Sequence, residues 1–370
     1  MKAADFMARA IELAKKGRYK TQPNPMVGCV LVKDGQIIGE GWHREYGKEH
    51  AEINAIKNCK KKFGAKNAYE LIAGSDVYVN LEPCSIQNNT PPCSHALIKY
   101  RIKNLFCGTL DPNPKINGRG VKLLKESGIN IKVGLLKKEC KELNRIFFVN
   151  QKQLRPYIIL KSAQSIDGKI ALKNGESNWI SNSESRKDSH LIRSRVRGIM
   201  VGRTTIEVDN PSLTIRLDKS ELGLKKNESI DQPAKIILGN LKINEKKQKI
   251  FSSKSRIIIG SRHSVKQLKT IQHLKYKKRE FLEEFIQDLL KMDISSILVE
   301  GGPKTLNAFL ANDLFDELVL YTAPSFLGKG SKETFNLKAP ERIKISKKLK
   351  MVKIERFQDD IKTTYYNRKM

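Results

Sequence analysis

Four residues in the first hundred positions have the types and spacing of a catalytic metal centre. His50 and Glu52 are separated by one residue, and Cys84 and Cys93 each directly follow a proline. One imidazole and two thiolates give a zinc ion three protein ligands, and a fourth position open to water is typical of a catalytic site. Bound zinc lowers the pKa of that water toward neutrality. Glu52, at the start of a predicted helix, is expected to take the proton of this water without binding the metal.

The same residues also allow simpler interpretations. A His-x-Glu tripeptide by itself is uninformative, and Cys84 and Cys93 alone are consistent with buried thiols or with an incomplete structural metal site. His95 is a competing ligand. The prolines and the upstream His-x-Glu together favour a zinc deaminase, in which hydroxide attacks an amine-bearing ring carbon and a carboxylate passes the proton to the departing ammonia. The other cysteines are expected to be ordinary core or surface residues: Cys29, Cys59, Cys107 and Cys140.

Helix and strand signals alternate around these residues. The Asp34-Gly35 pair between two apolar runs predicts a β-hairpin, and the later alternation predicts parallel strands joined by crossover helices, which makes this half α/β. The predicted helices end at Lys16 or cover 50–61, 95–100 and 120–128, and the predicted strands cover 26–32, 37–42, 75–80, 104–108 and 129–134.

The second half of the chain offers a different kind of ligand site. It has no G-x-G-x-x-G after a strand, so a Rossmann dinucleotide site is not indicated. In "VEGGPKTLNAFL" a strand is predicted to end at Glu300 and a helix to begin near Lys304. Its free backbone N–H groups would favour an anion, although a plain glycine turn fits this motif equally well. Further elements predicted here are a strand at the start of "YIILKSAQSIDGKIA", a helix at 183–195, and strands at 198–202, 234–239, 255–260, 295–302 and 316–324.

Bulk composition narrows the classes of partner. The formal charge of +31 at pH 7 first suggests an anionic partner. The lysines are spread over the chain with few aromatic or arginine residues among them, so a solvated surface is favoured and neither nucleic acid nor a membrane is expected as partner. No apolar run approaches the roughly 18 residues that a membrane helix needs. Six cysteines without a secretion signal indicate a reducing compartment, and we expect a cytoplasmic protein.

Longer stretches of the chain resemble a known family. "PNPMVGCVLVKDGQIIGEGWH", "HAE", "LEPCS", "TPPC" and "DPNPKINGRG" are similar to the deaminase half of the bifunctional riboflavin-biosynthesis deaminase–reductases. "LKSAQSIDGKIA", "GESNWIS", "VGRTTIEVDNPSLTIR" and "VEGGPKTL" are similar to the reductase half, whose fold resembles dihydrofolate reductase. The spacing of eight residues between Cys84 and Cys93 is also similar to this family. In tRNA adenosine deaminases the two cysteines are separated by two residues.

The resemblance implies an α/β protein of two domains. A cytidine-deaminase-like three-layer sandwich would occupy residues 1–147, and a dihydrofolate-reductase-like domain would occupy residues 148–370. The implied reactions are zinc-dependent hydrolytic deamination of 2,5-diamino-6-(5-phosphoribosylamino)pyrimidin-4-one and then NADPH-dependent reduction of its ribosyl group to a ribityl chain. The implied cofactors are one zinc ion per chain and NADPH. The implied partner is the phosphorylated ribosylaminopyrimidine, and a homo-oligomer is expected.

The resemblance also implies roles for individual residues. Asn24 and His43 would hold the pyrimidine, and the loop 85–92 would meet the ribose phosphate. NADPH would be contacted by Ala163, Trp179, Thr205, Asp209, Gly302, Pro303, Lys304, Thr305, Leu306, Asn307 and Ala308. Substrate in the second domain would be contacted by Ser177, Arg193, Leu213, Arg216 and Glu300. Arginine suits a phosphate because its guanidinium forms bidentate, charge-assisted bonds, although Arg193 alone would more often belong to a solvated helix face and Trp179 alone to a core.

Two places depart from the family pattern. Ile86 and Asn89 stand where the family usually has a histidine and a basic residue in the cysteine loop, so weaker phosphate binding is expected, and Asn89→Arg is expected to lower KM. Gly239 and Asn240 stand where the family often has Asp-Ser, which leaves one cofactor contact open.

The alternative function is a basic RNA-binding protein of the tRNA adenosine deaminase type. It predicts a Cys-x-x-Cys pair and a contiguous basic groove; the chain lacks the first and scatters its charge.

Overall fold

Two compact units, Met1–Leu154 and Arg155–Met370, make up the chain in a computed structural model that describes residues 2–86, 91–265, 271–278 and 280–368. The predicted two-domain α/β architecture is confirmed. The division falls later than the expected boundary at residue 147, because a helix continues to Gln153. Within the described residues, no helix combines the length and the apolar character needed to cross a membrane.

The first unit is a sheet covered by helices on both faces. The strands lie in the order β2-β1-β3-β4-β5, with β1 antiparallel to both neighbours and β3, β4 and β5 parallel. Its elements are α1 (Ala3–Lys15), β1 (Gly28–Lys33), β2 (Gln36–Trp42), α2 (Ala51–Phe63), α3 (Ala65–Ile72), β3 (Asp76–Val79), α4 (Cys93–Lys99), β4 (Asn104–Cys107), α5 (Arg119–Glu126), β5 (Asn130–Val133), α6 (Lys137–Leu143) and α7 (Arg145–Gln153).

Alternation along β1 creates the three layers of this unit. Successive side chains of a strand point to opposite faces of the sheet. Cys29 and Leu31 accordingly join the core formed with α2 and α3, while Val30 and Val32 join the core formed with α1. The predicted hairpin is present, with Asp34 and Gly35 in left-handed conformations between β1 and β2.

The second unit contains, among its described residues, a nine-stranded sheet in the order β11-β10-β9-β8-β12-β6-β13-β16-β15. It is parallel from β11 to β13 and antiparallel at β16 and β15. Its elements are β6 (Tyr157–Ser165), β7 (Lys169–Ala171), α8 (Ser183–Arg193), β8 (Gly198–Gly202), α9 (Arg203–Asp209), β9 (Ala234–Leu238), β10 (Ile257–Ser261), β11 (Ile271–Lys275), α10 (Leu282–Lys291), β12 (Ser296–Val299), α11 (Pro303–Ala311), β13 (Glu317–Ala323), β14 (Lys332–Glu333), β15 (Leu349–Phe357) and β16 (Asp360–Asn367).

The core cluster that includes α10 and α11 lies on one face of the large sheet, and side chains of the opposite face such as Ile199 and Leu298 are fully buried as well. Ile158, Met200 and Ile297 of the central strands pack there with Phe285 of α10 and Phe309 of α11, all fully buried. Burying each such side chain contributes roughly 1.5–3 kcal/mol. The predicted start of α11 after the glycine pair is confirmed.

Candidate deaminase and reductase sites

The predicted zinc ligands meet in the first unit. His50 Nδ1 lies 3.5 Å from Cys84 Sγ and 3.3 Å from Cys93 Sγ. All three ligand atoms lie within 4.8 Å of one another. Zinc–nitrogen and zinc–sulfur bonds of about 2.0 and 2.3 Å place these atoms about 3.5 Å apart in a tetrahedron. The geometry therefore fits one tetrahedral zinc ion with three protein ligands.

Two helix starts and one close packing contact position these ligands. His50 immediately precedes α2, and Cys93 is the first residue of α4. Helix α2 lies so close to β2 that a Cβ at Gly41 would be 2.2 Å from the backbone nitrogen of Ala55. Only glycine allows this approach, so "GEGWH" sets how deeply α2 sits against the sheet.

Glu52 occupies the place of a proton carrier. Its side chain is 3% exposed, and its Oε2 has no hydrogen-bond partner among the described residues. Burial raises the pKa of Glu52, while the adjacent His50 opposes this rise. An unpaired buried carboxylate oxygen beside the ligand cluster is what a metal-bound water would satisfy, so this atom also fits the presence of zinc.

The thiols of Cys84 and Cys93 have pKa values shifted in opposite directions. The Cys93 thiol and backbone N–H both bond Cys84 Sγ and, with His50, lower the pKa of Cys84 to about 4. The resulting thiolate and burial raise the pKa of Cys93. Zinc binding requires both sulfurs as thiolates, so it would release the remaining proton.

Asn24 and His43, the predicted pyrimidine ligands, lie together beside the metal ligands. The rings of His43 and His50 meet edge to face, with centroids 5.4 Å apart. His43 Nδ1 contacts the carbonyl of Glu49 at 3.0 Å and its Nε2 contacts Asn24 Nδ2 at 3.2 Å. A carbonyl only accepts, so Nδ1 carries the hydrogen and Nε2 accepts from Asn24.

Sequence reasoning missed the polar residues that hold the loops of this site. Asn144 exchanges two hydrogen bonds with the backbone of Met26, at 2.8 and 2.9 Å. Glu82 is 4% exposed and accepts backbone N–H bonds from Asp111, Gly118 and Val121. Burial raises the pKa of Asp111 to about 6. A single acidic residue before "PCS" gave no sign that three distant amides would bind it.

The phosphate-loop prediction is tested only at its edges. Ile86 is half-buried. Asn89, together with the rest of 87–90, lies outside the described residues, so the expectation for Asn89→Arg stays a prediction.

In the second unit, Glu300 and Arg193 form a buried ion pair. Arg193 Nη2 lies 2.6 Å from Glu300 Oε2, its Nε bonds the same carboxylate, and its Nη1 donates to the carbonyl of Thr214 at 3.0 Å. Ser189 donates to the other carboxylate oxygen at 3.2 Å. The guanidinium of Arg193 therefore orients Glu300, and its predicted contact with substrate stays a prediction.

Lys161, which was not singled out from the sequence, interacts electrostatically with Glu300. It lies in β6, with Nζ 5.6 Å from the ring centroid of Tyr321, whose hydroxyl donates to Asp188. Burial lowers the pKa of Lys161, and Glu300 opposes that effect. Burial alone would raise the pKa of Glu300, but Arg193 and Lys161 lower it below its usual value. The signal available in the sequence was a lysine within the apolar strand run "YIILKSA".

Predicted cofactor residues from two motifs meet where β8 and β12 end. Thr205 Oγ1 accepts from the backbone nitrogen of Gly302 at 3.3 Å. A Cβ at Gly301 would lie 2.6 Å from Thr305 Cβ, so the second glycine motif permits close backbone packing. Asn307 donates to the carbonyl of Pro303 at 2.7 Å.

The remaining predicted contacts differ in their surroundings. Ala163 is half-buried in β6, while Ser177 and Trp179 lie in the exposed segment between β7 and α8. Leu213 and Leu306 are almost fully buried, so their side chains serve the core. Asp209, Lys304 and Arg216 are exposed and Ala308 is half-buried. At the departure from the family pattern, Gly239 has a φ of 112° and Asn240 Oδ1 accepts from the backbone nitrogen of His263.

The fold and the site define a zinc deaminase domain joined to a dihydrofolate-reductase-like domain. Residues 1–109 match the family model of the cytidine and deoxycytidylate deaminase zinc-binding region, and residues 156–363 match the RibD C-terminal domain. The riboflavin biosynthesis protein RibD of Buchnera aphidicola is 37% identical over 98% of both chains. That of Escherichia coli is 35% identical over 96% of this chain and 97% of its own.

A solved structure agrees over both units. A diaminohydroxyphosphoribosylaminopyrimidine deaminase/5-amino-6-(5-phosphoribosylamino)uracil reductase from Thermotoga maritima superposes with a TM-score of 0.86 at 33% identity, covering 98% of each chain. The chain belongs to the RibD family of riboflavin biosynthesis enzymes.

Proposed function

We propose that this chain catalyses two consecutive steps of riboflavin biosynthesis. The first unit deaminates 2,5-diamino-6-(5-phosphoribosylamino)pyrimidin-4-one, and the second reduces the ribosyl group of the product to a ribityl chain with NADPH. The observation that carries the proposal is the His50–Cys84–Cys93 cluster beside the unpaired carboxylate of Glu52, in a chain that also matches the RibD C-terminal domain. The T. maritima relative is named for both activities.

In the deaminase site, His50, Cys84 and Cys93 would hold one zinc ion, which when bound lowers the pKa of a coordinated water. Glu52 Oε2, which has no partner among the described residues, would accept and hold a proton from water. Glu52 is suited to return the proton to the leaving amine, because burial raises its pKa. Asn24 and His43 would orient the ring, since His43 is fixed in one tautomer by Glu49.

In the reductase site, NADPH would supply the hydride that converts the ribosyl to the ribityl group. Thr205, Asp209 and the start of α11 after Gly302 would hold the cofactor. Pro303 has no N–H group, and the N–H groups of Thr305 and Leu306 donate to the Gly302 carbonyl, so the helix start would favour the phosphates mainly through the positive end of its dipole. Glu300, kept ionised by Arg193, and the half-buried Lys161 would contact the sugar or the base of the substrate.

The RNA-binding alternative is not favoured. Residues 156–363 match the RibD C-terminal domain. A tRNA adenosine deaminase activity would leave this region without a function. All six cysteines are free thiols, which supports a reducing compartment, and we propose a cytoplasmic enzyme that forms homo-oligomers.

A product assay tests both reactions. Purified protein with one zinc per chain by metal analysis is incubated with the diaminopyrimidine ribosyl phosphate, without cofactor, with NADH or with NADPH. We expect ammonia and the deaminated phosphoribosyl product in all three, and the ribityl product, two hydrogens heavier by mass, chiefly with NADPH. Asp209→Asn should lower the yield of ribityl product and leave ammonia release unchanged. Release of no ammonia by the zinc-loaded protein would contradict the proposal.

A further inference from the structure

The two tryptophans of the chain differ in how much of each indole ring is open to solvent. Trp42 is half-buried, and Lys16 Nζ and Arg44 Cζ lie 4.8 and 4.7 Å from its ring centroid. Trp179 is 72% exposed. Among the described residues, the guanidinium of Arg186 alone lies over its ring, with Cζ 4.2 Å from the centroid. One face of the Trp179 indole is therefore covered by a cation, and the other face is open to a ligand.

Arg186 contacts the segment before α8 at two points. Its Nη1 donates to the carbonyl of Ser181 at 2.5 Å, and the same guanidinium lies over Trp179. A guanidinium can stack on an aromatic ring with its face and donate hydrogen bonds in its own plane. Both contacts oppose rotation of the indole away from the guanidinium, so Arg186 limits the directions in which the open face of Trp179 can point.

The start of α8, from which Arg186 extends, is itself fixed. Asn182 caps the helix by accepting from the backbone nitrogen of Ser185 at 2.9 Å. Asp360 of β16 is 2% exposed, and it accepts from the backbone nitrogen of Asn182 at 2.8 Å and from the hydroxyl of Ser185 at 2.7 Å. The exposed Trp179 ring is thus held from a helix end that is bonded to a buried carboxylate of the sheet.

The open face of Trp179 suits a planar ring of the cofactor. The resemblance implies that Trp179 contacts NADPH and that Ser177 contacts the substrate. Reduction of the ribosyl group passes a hydride directly from the dihydronicotinamide to the sugar, so the nicotinamide is the part of NADPH that lies beside the substrate. A side chain two residues from a substrate contact is therefore closer to the nicotinamide than to the adenine. An indole face can stack on that ring in an offset arrangement.

We propose that Arg186 is a positioning residue of the reductase: its guanidinium holds one face of Trp179 so that the other face stacks on the nicotinamide ring of NADPH. Arg186 acts through the indole and does not contact the cofactor. This role is additional to the predicted cofactor and substrate contacts, none of which is Arg186. The inference rests on the proposed function, because it requires the second unit to bind NADPH.

Fluorescence of Trp179 tests this role in the full chain. In a Trp42→Phe background Trp179 is the remaining tryptophan, and bound NADPH should quench its emission because the dihydronicotinamide absorbs light that tryptophan emits. Arg186→Met should raise the Kd for NADPH about threefold, as expected for the loss of one exposed cation–π contact. Arg186→Lys should recover part of that loss. Without NADPH, the anisotropy of Trp179 emission should fall in Arg186→Met, because the ring rotates more freely.

Lys187→Met is the matched control for the charge. Lys187 follows Arg186 in α8 but pairs with Glu221 at 2.7 Å, so this change removes the same charge from the same helix without uncovering Trp179. The Kd for NADPH and the anisotropy should equal those of the Trp42→Phe parent. If Lys187→Met weakens NADPH binding as much as Arg186→Met does, or if Arg186→Met leaves the anisotropy unchanged, then Arg186 does not position the ring and the inference is wrong.

Calorimetry separates an effect through Trp179 from direct contact with the cofactor. In a Trp179→Ala background, Arg186→Met should cause no further rise in the Kd for NADPH, and a further rise would show that Arg186 touches the cofactor itself. The compound 2′-phosphoadenosine diphosphoribose, which lacks the nicotinamide ring, should bind the parent and Arg186→Met equally. An equal loss of affinity for this compound would overturn the inference.

The same titrations distinguish failure of the inference from failure of the proposed function. A parent chain that binds no NADPH contradicts the proposed function together with the inference. NADPH binding by the parent that Arg186→Met leaves unchanged contradicts the inference alone.

Discussion

Each unit buries a carboxylate at its site, and the two carboxylates are held in opposite ways. Glu52 is 3% exposed and leaves one oxygen without a partner among the described residues, and burial raises its pKa. The Glu300 side chain is 8% exposed but is bound by Arg193, which with Lys161 lowers its pKa despite the burial. The surroundings therefore suit Glu52 to exchange a proton and Glu300 to remain an anion.

The largest effect is expected when the carboxylate of Glu52 is replaced. Glu52→Gln should lower ammonia release by about 10³-fold, within the range for a lost general acid–base group, because an amide cannot take a proton from water. Zinc content should stay at one per chain, since Glu52 is not a ligand. NADPH-dependent reduction of the deaminated substrate should be unchanged.

Glu49→Gln is the matched control for this change. Its carboxylate lies in the same region but is 41% exposed and pairs with Lys57, so the substitution should leave ammonia release near the parental rate. Ammonia release by Glu52→Gln at a comparable rate would remove Glu52 from the mechanism.

The second carboxylate is tested through its partner. Arg193→Met leaves Glu300 charged and buried without its cation, which should cost about 3–5 kcal/mol of stability in the second unit. The measurement is the urea midpoint of reductase activity, with ammonia release as the probe of the first unit. The ammonia midpoint should not change, because Arg193 and Glu300 both lie in the second unit and the deaminase residues lie in the first.

Arg9→Met supplies the control for this pair. Arg9 and Glu40 form an ion pair of the same chemistry with side chains 42% and 23% exposed, and such pairs contribute less than about 1 kcal/mol. If Arg193→Met costs no more stability than Arg9→Met, then Arg193 does not stabilise Glu300 as a buried anion.

The smallest expected effect is a pH dependence confined to the second unit. The pKa of His190 is about 4 in the folded chain and about 6.5 when unfolded. The unfolded state therefore binds the proton more readily, and stability falls as the pH drops from 6.5 toward 4. Between pH 7 and pH 5 this amounts to about 2 kcal/mol.

The urea midpoint of reductase activity at both pH values measures this loss. His190→Gln should remove that share of the acid sensitivity, while the ammonia-probed midpoint keeps its own pH dependence. Equal acid sensitivity of parent and His190→Gln would show that His190 is not the titrating group.

Local patterns predicted the sheet and the metal ligands of the first unit but missed its helices α3, α6 and α7. The hairpin at Asp34-Gly35 and the cluster of His50, Cys84 and Cys93 depend on short motifs, and the structure brings them together. Strand β15 was missed because its residues 350–354 are all exposed and show no alternation, and β11 and α10 were missed as well.

The ion pair between Arg193 and Glu300 in the second unit could not be predicted from the sequence for a different reason. Glu300 lies 107 residues from Arg193 in the chain, and nothing local in either segment predicts that they meet. Bidentate arginine geometry suits a carboxylate and a phosphate equally well, so the sequence could not predict the pair with Glu300, and substrate contact by Arg193 stays a prediction.

The close approach at Gly41 has a consequence for genetic screens. A side chain there would collide with the backbone of Ala51 and Ala55, at 2.4 and 2.2 Å from its Cβ. Helix α2 would be lifted as a whole, and it carries both the metal ligand before its first residue and the proton carrier in its first turn. Random mutagenesis for loss of deamination should therefore recover alleles at codon 41 that imitate simultaneous damage at His50 and Glu52. Compensating alleles should shorten side chains that pack beneath α2, rather than change Ala55, whose backbone makes the collision, or any group that touches zinc or substrate.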